Sequence, residues 1–512
     1  MKDVNLILVN IDRFYSEHLL EEMEKIKNIK YVLVCDVKEP RKKYKFDYDF
    51  INIENIHYGE YGMNLSEAEV VEEKIQKNFL KLETLIFKMM DRGEKPSKLV
   101  DYHIKEDQKF RDKISFSRAE LDFGFRRILF NRHLRFWSNI LKKKKINFFY
   151  STTVPHIVWD FIVFELCKLK KIPAIFCPIS MYEGCFIPCE NVSNNFESIK
   201  MDYKKNLKIF KHKKIKLSHF AAKYFSKMTS KKISKPHWTE QSKEAFVYKK
   251  QYNKFNLLTK IIFYFLSGNM TLFRKHLITN YYEQKFYKKL NYQNKFLKSK
   301  FDVMPKKNKI IFFPLHCEPE SATVPMGGYK YFDQLEVIDN LAFYAKKNNF
   351  TIVIKEHPFQ KSLSRSYEYY KEILKNKNIC FVDTNTDSFT IIKQSDIVAT
   401  ITGSAGWEAL FLGKQVICFG ETILKVAPSV FYPKSYNDLD RFLREFKTKK
   451  ITHFELKVFL KTIEKYSIEA FNEPFTGISF FKENNVTPKS VSTIFIKNMK
   501  FYLKKYKKIK SL

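Results

Sequence analysis

TIVIKEHP, at residues 351–358, is a short β-branched run that ends abruptly in charged residues and a proline. A similar pattern occurs at residues 397–408, IVATITGSAGWE, where a strand-like run leads into hydroxyl and glycine residues that open a helix. Short apolar runs separated by segments of helical spacing are typical of parallel strands in an α/β fold. Polar residues that directly follow such strands lie at the carboxyl edge of the sheet, where ligands bind.

The same alternation extends on both sides of these two stretches. In the second half of the chain we predict strands at 310–313, 351–355, 379–382, 397–400 and 415–419, with helices at 331–347, 364–375, 387–393 and 404–412. In the first half we predict strands at 5–9, 31–35, 146–150 and 174–177, helices within 65–145 and a helix at 157–170. The predicted fold class is therefore α/β, with two lobes built on parallel sheets.

Charge and hydrophobic patterning divide the chain into four parts. We predict an N-terminal Rossmann-like domain at 1–200, a basic helical bridge or insertion at 201–300, a C-terminal Rossmann-like domain at 301–475 and a basic amphipathic tail at 476–512. The bridge contains 25 Lys and Arg against 4 Asp and Glu, so it is the expected membrane-facing region. The tail has eight Lys and no acid after Val486, which predicts either membrane binding or packing on the first lobe with the charges in solvent.

The overall composition limits the kinds of partner and the cell compartment that we expect for this protein. With 92 Lys plus Arg and 56 Asp plus Glu, the formal net charge of +36 favours nucleic acid, a phospholipid surface or a phosphorylated substrate as partner. The eight cysteines lack CxxC pairs, which predicts reduced thiols in a cytosolic protein without a zinc site. Residues 1–10 do not resemble a signal peptide, and no apolar stretch reaches the ~20 residues of a spanning helix. We expect cytoplasmic localisation with peripheral membrane contact.

The first candidate site follows the strand at 351–354. His357, with Pro358 after it and Lys355 before it, can donate a hydrogen bond to a nucleotide phosphate while the lysine offsets the phosphate charge. The alternative is a surface turn that contains an incidental histidine.

The second candidate site follows the strand at 397–400. Thr402, Gly403 and Ser404 open a helix, so small side chains, hydroxyls and backbone N–H groups can approach an anion closely. Glu408, one turn further on, can accept hydrogen bonds from a ribose. The alternative is ordinary helix capping, with Glu408 as a favourable acid in the first turn.

The third candidate site is the loop after the strand at 310–313, which reads PLHCEPE at residues 314–320. A loop at this position faces the interlobe cleft, so His316 and Glu320 are candidate catalytic residues that can meet donor or acceptor. The alternative is a long ordered loop without a chemical role.

Taken together, these motifs resemble bacterial capsular polysaccharide biosynthesis glycosyltransferases. The resemblance covers residues 305–435 and includes FPLHxxPE, DQ, KEHP, TGSAGxEA, GK and FG in that order. It implies a GT-B fold, in which the second domain holds a nucleotide-sugar and the first holds the acceptor. The related capsule Kdo- and sialyl-transferases hold the donor phosphate with a His-Pro motif and a Ser/Thr segment, which correspond to His357-Pro358 and to Thr402 through Ser404.

The same resemblance suggests a general base. Bacterial sialyltransferases carry an acidic pair before a glycine, and Glu183 in Tyr182-Glu183-Gly184 matches the second acid only. A carboxylate in a partly desolvated cleft can deprotonate the acceptor hydroxyl while the nucleotide leaves, which inverts the anomeric carbon. His156, Asp160 and Glu320 are rival candidates for this role.

The predicted function is transfer of a sugar from a nucleotide-activated donor, CMP-linked by family likeness, to a capsular or lipopolysaccharide glycan. The expected partners are the nucleotide-sugar, a glycan or lipid-linked glycan acceptor and an anionic membrane, without nucleic acid. No cofactor and no metal are expected, since no DxD-like motif follows a strand. The alternatives are a polyol-phosphate transferase, a non-catalytic nucleotide-sugar-binding scaffold, a nucleic-acid-binding protein and a UDP-sugar epimerase.

Overall fold

Two parallel β-sheets form the framework of the computed structural model. The residues described are 3–11, 15–36, 39–40, 42–53, 71–90, 123–182, 184–194, 196–230, 254–268, 277, 284, 288, 291–292, 295–305, 309–358, 360, 365–471 and 481–509. The first sheet has the strand order β3-β2-β1-β4-β5, and all four neighbouring pairs are parallel. Its strands are β1 Val4–Val9, β2 Ile29–Asp36, β3 Asp47–Asn52, β4 Phe148–Ser151 and β5 Ala174–Phe176.

The second sheet has six strands in the order β12-β11-β10-β7-β8-β9, again with every neighbouring pair parallel. They are β7 Lys309–Pro314, β8 Phe350–Lys355, β9 Ile379–Val382, β10 Ile397–Thr400, β11 Gln415–Cys418 and β12 Val430–Phe431. Numbered within each lobe, the first sheet has the order 3-2-1-4-5 and the second has the Rossmann order 3-2-1-4-5-6. The predicted α/β class, with two Rossmann-like domains in a GT-B-like arrangement, is confirmed.

Helices connect and cover the strands. They are α1 Ser16–Met23, α2 Glu73–Leu80, α3 Glu83–Met89, α4 Phe123–Lys143, α5 Val158–Leu169, α6 Glu197–Phe210, α7 His219–Thr229, α8 Lys254–Leu266, α9 Gly328–Tyr331, α10 Gln334–Lys347, α11 Tyr367–Leu374, α12 Ser388–Gln394, α13 Ala405–Phe411, α14 Tyr436–Arg444, α15 His453–Ile463 and α16 Pro488–Ile509. The strand β3 was not predicted. It lies at the edge of the sheet, so its alternating sequence DYDFIN lacks the continuous apolar run that marks central strands.

The central strands bury both faces, which explains their uninterrupted apolar sequences. Ile7 and Val9 point to one side of the first sheet, and Leu6 and Leu8 point to the other. The core on the first of these sides is continuous with the core beneath the second sheet and includes Phe312. The two lobes therefore share buried apolar surface, and the side chains of His156 after β4 and Glu320 after β7 lie 3.6 Å apart where the carboxyl edges of the two sheets meet.

The basic segment after the first sheet packs on the second lobe through its described helices. Tyr203 of α6 contacts Phe459 of α15 with ring centroids 5.3 Å apart. Tyr224 of α7 contacts Phe411 of α13 at 5.4 Å and also stacks on Tyr182 of the first lobe at 5.3 Å. Helix α7 consequently contacts both lobes and α6 contacts the second, while residues 231–253 lie outside the described residues.

The chain returns to the first lobe before its C-terminus. Strand β13, Ile468–Glu469, pairs antiparallel with β6, Cys185–Phe186, so the return begins earlier than the predicted boundary at 475. Helix α16 then packs on α1, with Phe495 stacked on Tyr15 at 5.3 Å, and Tyr150 of β4 donates a hydrogen bond to Asn498 at 3.0 Å. Of the two interpretations of the basic tail, the structure shows packing on the first lobe.

Two further properties concern the described part of the chain as a whole. None of its helices combines the length and the apolar character needed to cross a membrane. All eight cysteines lie within it, and none is joined in a disulfide.

Candidate functional site

His316 connects the loop after β7 to the turn after β10. The amide oxygen of Gln334 accepts the backbone N–H of His316 at 2.6 Å and lies 3.1 Å from Nδ1, so Nδ1 carries the proton. Nε2 then accepts from the backbone N–H of Gly403 at 3.1 Å and from the Thr400 hydroxyl at 2.9 Å. Both ring nitrogens are thus engaged within the protein, and the ring holds two loops in register.

Burial keeps the His316 ring neutral, and the hydrogen bond to Gln334 selects the tautomer with the proton on Nδ1. The His316 side chain is 5% exposed, and burial lowers the pKa of the imidazole to about 4. A neutral imidazole keeps a lone pair on Nε2 at pH 7, which the hydrogen bond from Gly403 requires. His316 was predicted as a catalytic residue; its geometry is that of a side chain that positions the turn after β10.

The turn that contains Thr402, Gly403 and Ser404 is only partly available to a ligand. The Gly403 N–H is already donated to His316 and to the Thr400 hydroxyl, and the Thr402 hydroxyl donates to the carbonyl of Ala322 at 2.7 Å. A Cβ at Gly403 would lie 3.0 Å from both His316 Nε2 and Thr400 Oγ1, so the glycine permits this close approach. The Ser404 residue is exposed, and its hydroxyl donates to Glu408 Oε1 at 3.4 Å.

Lys355 and His357 lie at the end of β8, on the opposite side of β7 from this turn. The buried Lys355 ammonium donates to the carbonyl of Thr386 at 2.8 Å and to the Ser388 hydroxyl at 2.7 Å. His357 and Pro358 are partly exposed at the carboxyl edge. Burial, followed by the positive charges around it, lowers the pKa of His357 to about 3, so its ring is also neutral at pH 7.

Glu408 completes the polar lining on the α13 side. Burial raises the pKa of this carboxyl to about 7, opposed by a hydrogen bond from the Ser404 hydroxyl at 3.4 Å and by the charge of Lys355. Strands β8 and β10 are both parallel neighbours of β7, so the seven predicted donor-binding residues, which lie at or after the ends of these two strands, are at the same edge of the second sheet.

A buried ionic network beneath this edge was not predicted. Arg365 donates from Nη1 to Glu318 at 2.8 Å, from Nε to Glu356 at 3.1 Å and from Nη2 to the carbonyl of His316 at 2.7 Å. Glu356 also accepts the backbone N–H of His357 at 2.5 Å. One guanidinium thereby ties together the loops that carry His316 and His357. Arg365 stands eight residues after His357, outside any recognisable motif, so no local signal marks it.

The first lobe contacts this network and the loop above it. Lys88 of α3 lies 3.2 Å from Glu318 Oε1. Burial alone would raise the pKa of Glu318, but the charges of Lys88 and Arg365 hold it below its usual value. Glu320, a predicted catalytic residue, is partly exposed, and its Oε2 lies 3.6 Å from His156 Nε2 across the cleft. His156 Nδ1 is 2.7 Å from the carbonyl of Val154, which orients the ring.

The rival base Asp160 is buried at the start of α5. Its carboxylate accepts from the Asn10 side chain at 2.8 Å and from the backbone N–H of Ile157 at 2.8 Å. Burial raises the pKa of Asp160 to about 6 in spite of these bonds and of the nearby His156. The base candidate that the family resemblance suggests, Glu183, lies outside the described residues, so its assignment stays a prediction.

Metal-binding clusters are not found in the part of the chain that the structure describes. No group of three or more His, Cys, Asp or Glu side chains there is arranged to hold an ion.

The buried neutral His316 predicts an acid-sensitive component of stability. The imidazole titrates near 6.5 in the unfolded chain and at about 4 in the folded protein, so the unfolded state binds more protons between these values. Its contribution is therefore present above pH 6.5 and is lost, by ~3 kcal/mol, as the pH falls toward 4. His316→Gln removes the titrating ring and retains an acceptor for the Gly403 N–H.

The measurement is urea unfolding of wild type and His316→Gln from pH 4 to pH 7.5. We expect the stability advantage of the wild type to shrink by ~3 kcal/mol over this range. Glu408 and Asp160 have raised pKa values and act in the opposite direction, but they are present in both proteins and cancel in the difference. An advantage that does not change with pH would show that His316 is not held neutral.

Comparison with known proteins adds a family match. The family model of capsule polysaccharide biosynthesis proteins matches residues 214–427. No curated protein matches the chain. Among solved structures, the beta Kdo 2,7 transferase KpsC of Thermosulfurimonas dismutans is 14% identical over 64% of this chain and 79% of that chain, with a TM-score of 0.30.

Two other solved structures align over more of the chain. The UDP-GlcNAc 2-epimerase of Methanocaldococcus jannaschii is 10% identical over 91% of this chain and 99% of that chain, with a TM-score of 0.25. A glycosyltransferase from Rickettsia africae is 10% identical over 96% and 98%, with a TM-score of 0.24. Identities and TM-scores this low do not assign an activity. Over residues 214–427 the chain is similar to the capsule polysaccharide biosynthesis proteins, and the family resemblance that its motifs indicated is confirmed.

Proposed function

We propose that this protein is a glycosyltransferase that moves a sugar from a nucleotide-activated donor to a capsular or lipopolysaccharide glycan. The observation that carries the proposal is the position of Lys355, His357 and the turn at 402–404, which follow β8 and β10 on either side of β7. The strand order reverses between β7 and β10, and doubly wound sheets bind nucleotides in the crevice at this point. The family match over residues 214–427 supports a role in capsule synthesis.

The donor phosphate is proposed to bind between the two motifs. A neutral His357 can donate one N–H to a phosphate oxygen, and the Ser404 hydroxyl can donate a second bond from the opposite side. Lys355 supplies positive charge beneath the edge, so no metal is required to neutralise the leaving group. Glu408 is proposed to accept a hydrogen bond from a ribose hydroxyl, and His316 is proposed to position the turn without contacting the donor.

The acceptor is proposed to be a glycan or a lipid-linked glycan that enters from the first-lobe side. A carboxylate there takes the proton of the attacking hydroxyl while the nucleotide leaves from the opposite face of the sugar, which inverts the anomeric carbon. Glu183 is the candidate by family resemblance, and Glu320 is the candidate by geometry, since it faces His156 across the cleft.

Two substitutions separate these candidates. Removing the general base is expected to lower kcat by a factor of ~10²–10⁴ with little change in KM, because the base acts on the transition state. We therefore compare Glu183→Gln with Glu320→Gln in a transfer assay; the variant that is not the base serves as the control and stays within about tenfold of wild type. Full activity in both variants would exclude both assignments, and a product that retains the donor's anomeric configuration would exclude inversion.

The experiment that tests the function is a thermal-shift screen of the purified protein. The ligands are CMP, CDP, UDP, GDP, their sugar conjugates and CDP-glycerol. A ligand that binds only the folded state at a hundred times its Kd adds ~2.7 kcal/mol to stability, so one nucleotide class is expected to raise the melting temperature. Stabilisation by CDP-glycerol with phosphoglycerol transfer would favour the polyol-phosphate alternative. Absence of any shift would contradict the transferase proposal.

A further inference from the structure

Helix α8 exposes an apolar face that nothing in the proposed reaction uses. Leu258 is 56% exposed, Ile262 50%, Phe263 66% and Leu266 78%. Leu258, Ile262 and Leu266 are four residues apart, so they form one stripe along the helix, and Phe263 lies beside it. Large side chains clustered in this way mark a surface that binds another apolar phase or partner.

The same inserted segment carries a dense positive surface. Seven lysines at the end of α6 and in the turn that follows it are exposed, and we call them the lysine surface: Lys204, Lys205, Lys208, Lys211, Lys213, Lys214 and Lys216. The buried side of α6 is held to the second lobe by Tyr203 and by a bond from Asn206 to Thr462 at 3.0 Å. Packing therefore turns the lysines outward. The single acid of residues 201–216, Asp202, is bound by Lys465 and Tyr466.

Together these two features match one kind of partner. Nucleic acids or acidic glycans would account for the lysine surface but not for exposed Leu, Ile and Phe. An anionic bilayer accounts for both, because lysines are attracted to its headgroups while apolar side chains enter the boundary between headgroups and acyl chains. The 13 residues of α8 extend ~20 Å, less than the ~30 Å hydrocarbon core, so this helix suits a position in the plane of the surface.

We propose that α8 is an interfacial membrane anchor, and that the lysine surface draws it to anionic lipid. The apolar face of the tail helix α16 cannot serve as the membrane anchor. Its residues are already buried against the first lobe, namely Val491, Phe495, Ile496 and Met499. This proposal does not depend on the proposed reaction, because membrane binding is measured without donor or acceptor.

The test is flotation of the full-length protein with vesicles of phosphatidylglycerol and phosphatidylcholine, compared with phosphatidylcholine alone. Wild type is expected to float only with the anionic vesicles and to be released by salt. Ile262→Ser with Phe263→Ser is expected to weaken membrane binding at least about tenfold, because two exposed apolar side chains can no longer enter the bilayer. Replacing Lys204, Lys205 and Lys208 by Gln is expected to weaken it about fivefold per lysine.

Matched variants on the second lobe show whether the loss of membrane binding is specific to α8 and the lysine surface. Phe343→Ser removes a side chain that is 65% exposed on the second lobe, and Lys447, Lys449 and Lys450→Gln removes three exposed charges there. Both are expected to float like wild type, and thermal melts check that all variants are folded. The proposal is overturned if the α8 variant floats like wild type, or if Phe501→Ser on α16 abolishes flotation instead. It is also overturned if the α8 variant converts a stable dimer to a monomer in size-exclusion chromatography, since the apolar face would then be a contact between two copies of the chain.

Discussion

His357→Ala is expected to lower kcat/KM for the nucleotide donor by a factor of ~10²–10³, the cost of removing a preorganised donor to developing negative charge. The pKa of about 3 keeps the ring neutral, so the lost interaction is a hydrogen bond and not a full ionic contact. The fold is expected to survive, because the buried network uses the backbone N–H of His357, which alanine retains. The measurement is initial-rate kinetics of donor turnover, with the melting temperature recorded alongside.

Two control variants test whether the lost activity is due to the lost hydrogen-bond donor of His357. His357→Asn keeps an N–H donor near the same place and is expected to recover part of the lost activity, which a purely structural role would not predict. His219→Ala, at an exposed position on α7, is expected to have no effect. Because His357 stays neutral above about pH 4, its removal should not displace the acid limb of the wild-type pH profile between pH 5 and pH 7. Donor turnover within about threefold of wild type in folded His357→Ala would contradict a phosphate-binding role.

Arg365→Met is expected to lower the free energy of unfolding by ~3–5 kcal/mol, the largest effect on stability predicted for this protein. The guanidinium is 4% exposed and lies between the carboxylates of Glu318 and Glu356, which are 5% and 2% exposed. Methionine fills much of the same volume but leaves the Glu356 carboxylate without its cation and Glu318 with Lys88 alone, and burying an uncompensated charge is costly. Chemical or thermal unfolding measures the loss.

We attribute the loss of stability in Arg365→Met to the lost charge and not to the lost volume, and a further variant separates these two effects. Arg365→Met combined with Glu356→Gln removes the carboxylate that has lost its cation and is expected to recover part of the stability. Arg441→Met breaks an ion pair with Asp438 that is 62% exposed on the arginine side, and is expected to cost less than ~1 kcal/mol. Equal losses for Arg365→Met and Arg441→Met would show that the buried network contributes no more than a surface pair.

Most of the fold could be predicted from local sequence because parallel strands bury both faces and therefore read as continuous apolar runs. The strands that carry the donor motifs, β8 and β10, are of this kind, and the polar residues after them could be assigned to one sheet edge from their positions in the chain. The edge strand β3 was missed because one side of it lacks a neighbour and its residues alternate. The tail allowed two interpretations because a basic amphipathic helix suits both a membrane and a protein surface.

The α/β class, the two lobes and the positions of the proposed donor-binding motifs could be predicted from the amino-acid sequence, because each depends on short-range periodicity and on residues next to strand ends. The contacts that those residues make with one another became known from the three-dimensional structure. It engages both nitrogens of His316, commits the Gly403 N–H, and places Arg365 between Glu318 and Glu356. These contacts join residues up to 87 positions apart, and their energies depend on burial, which no local pattern reports.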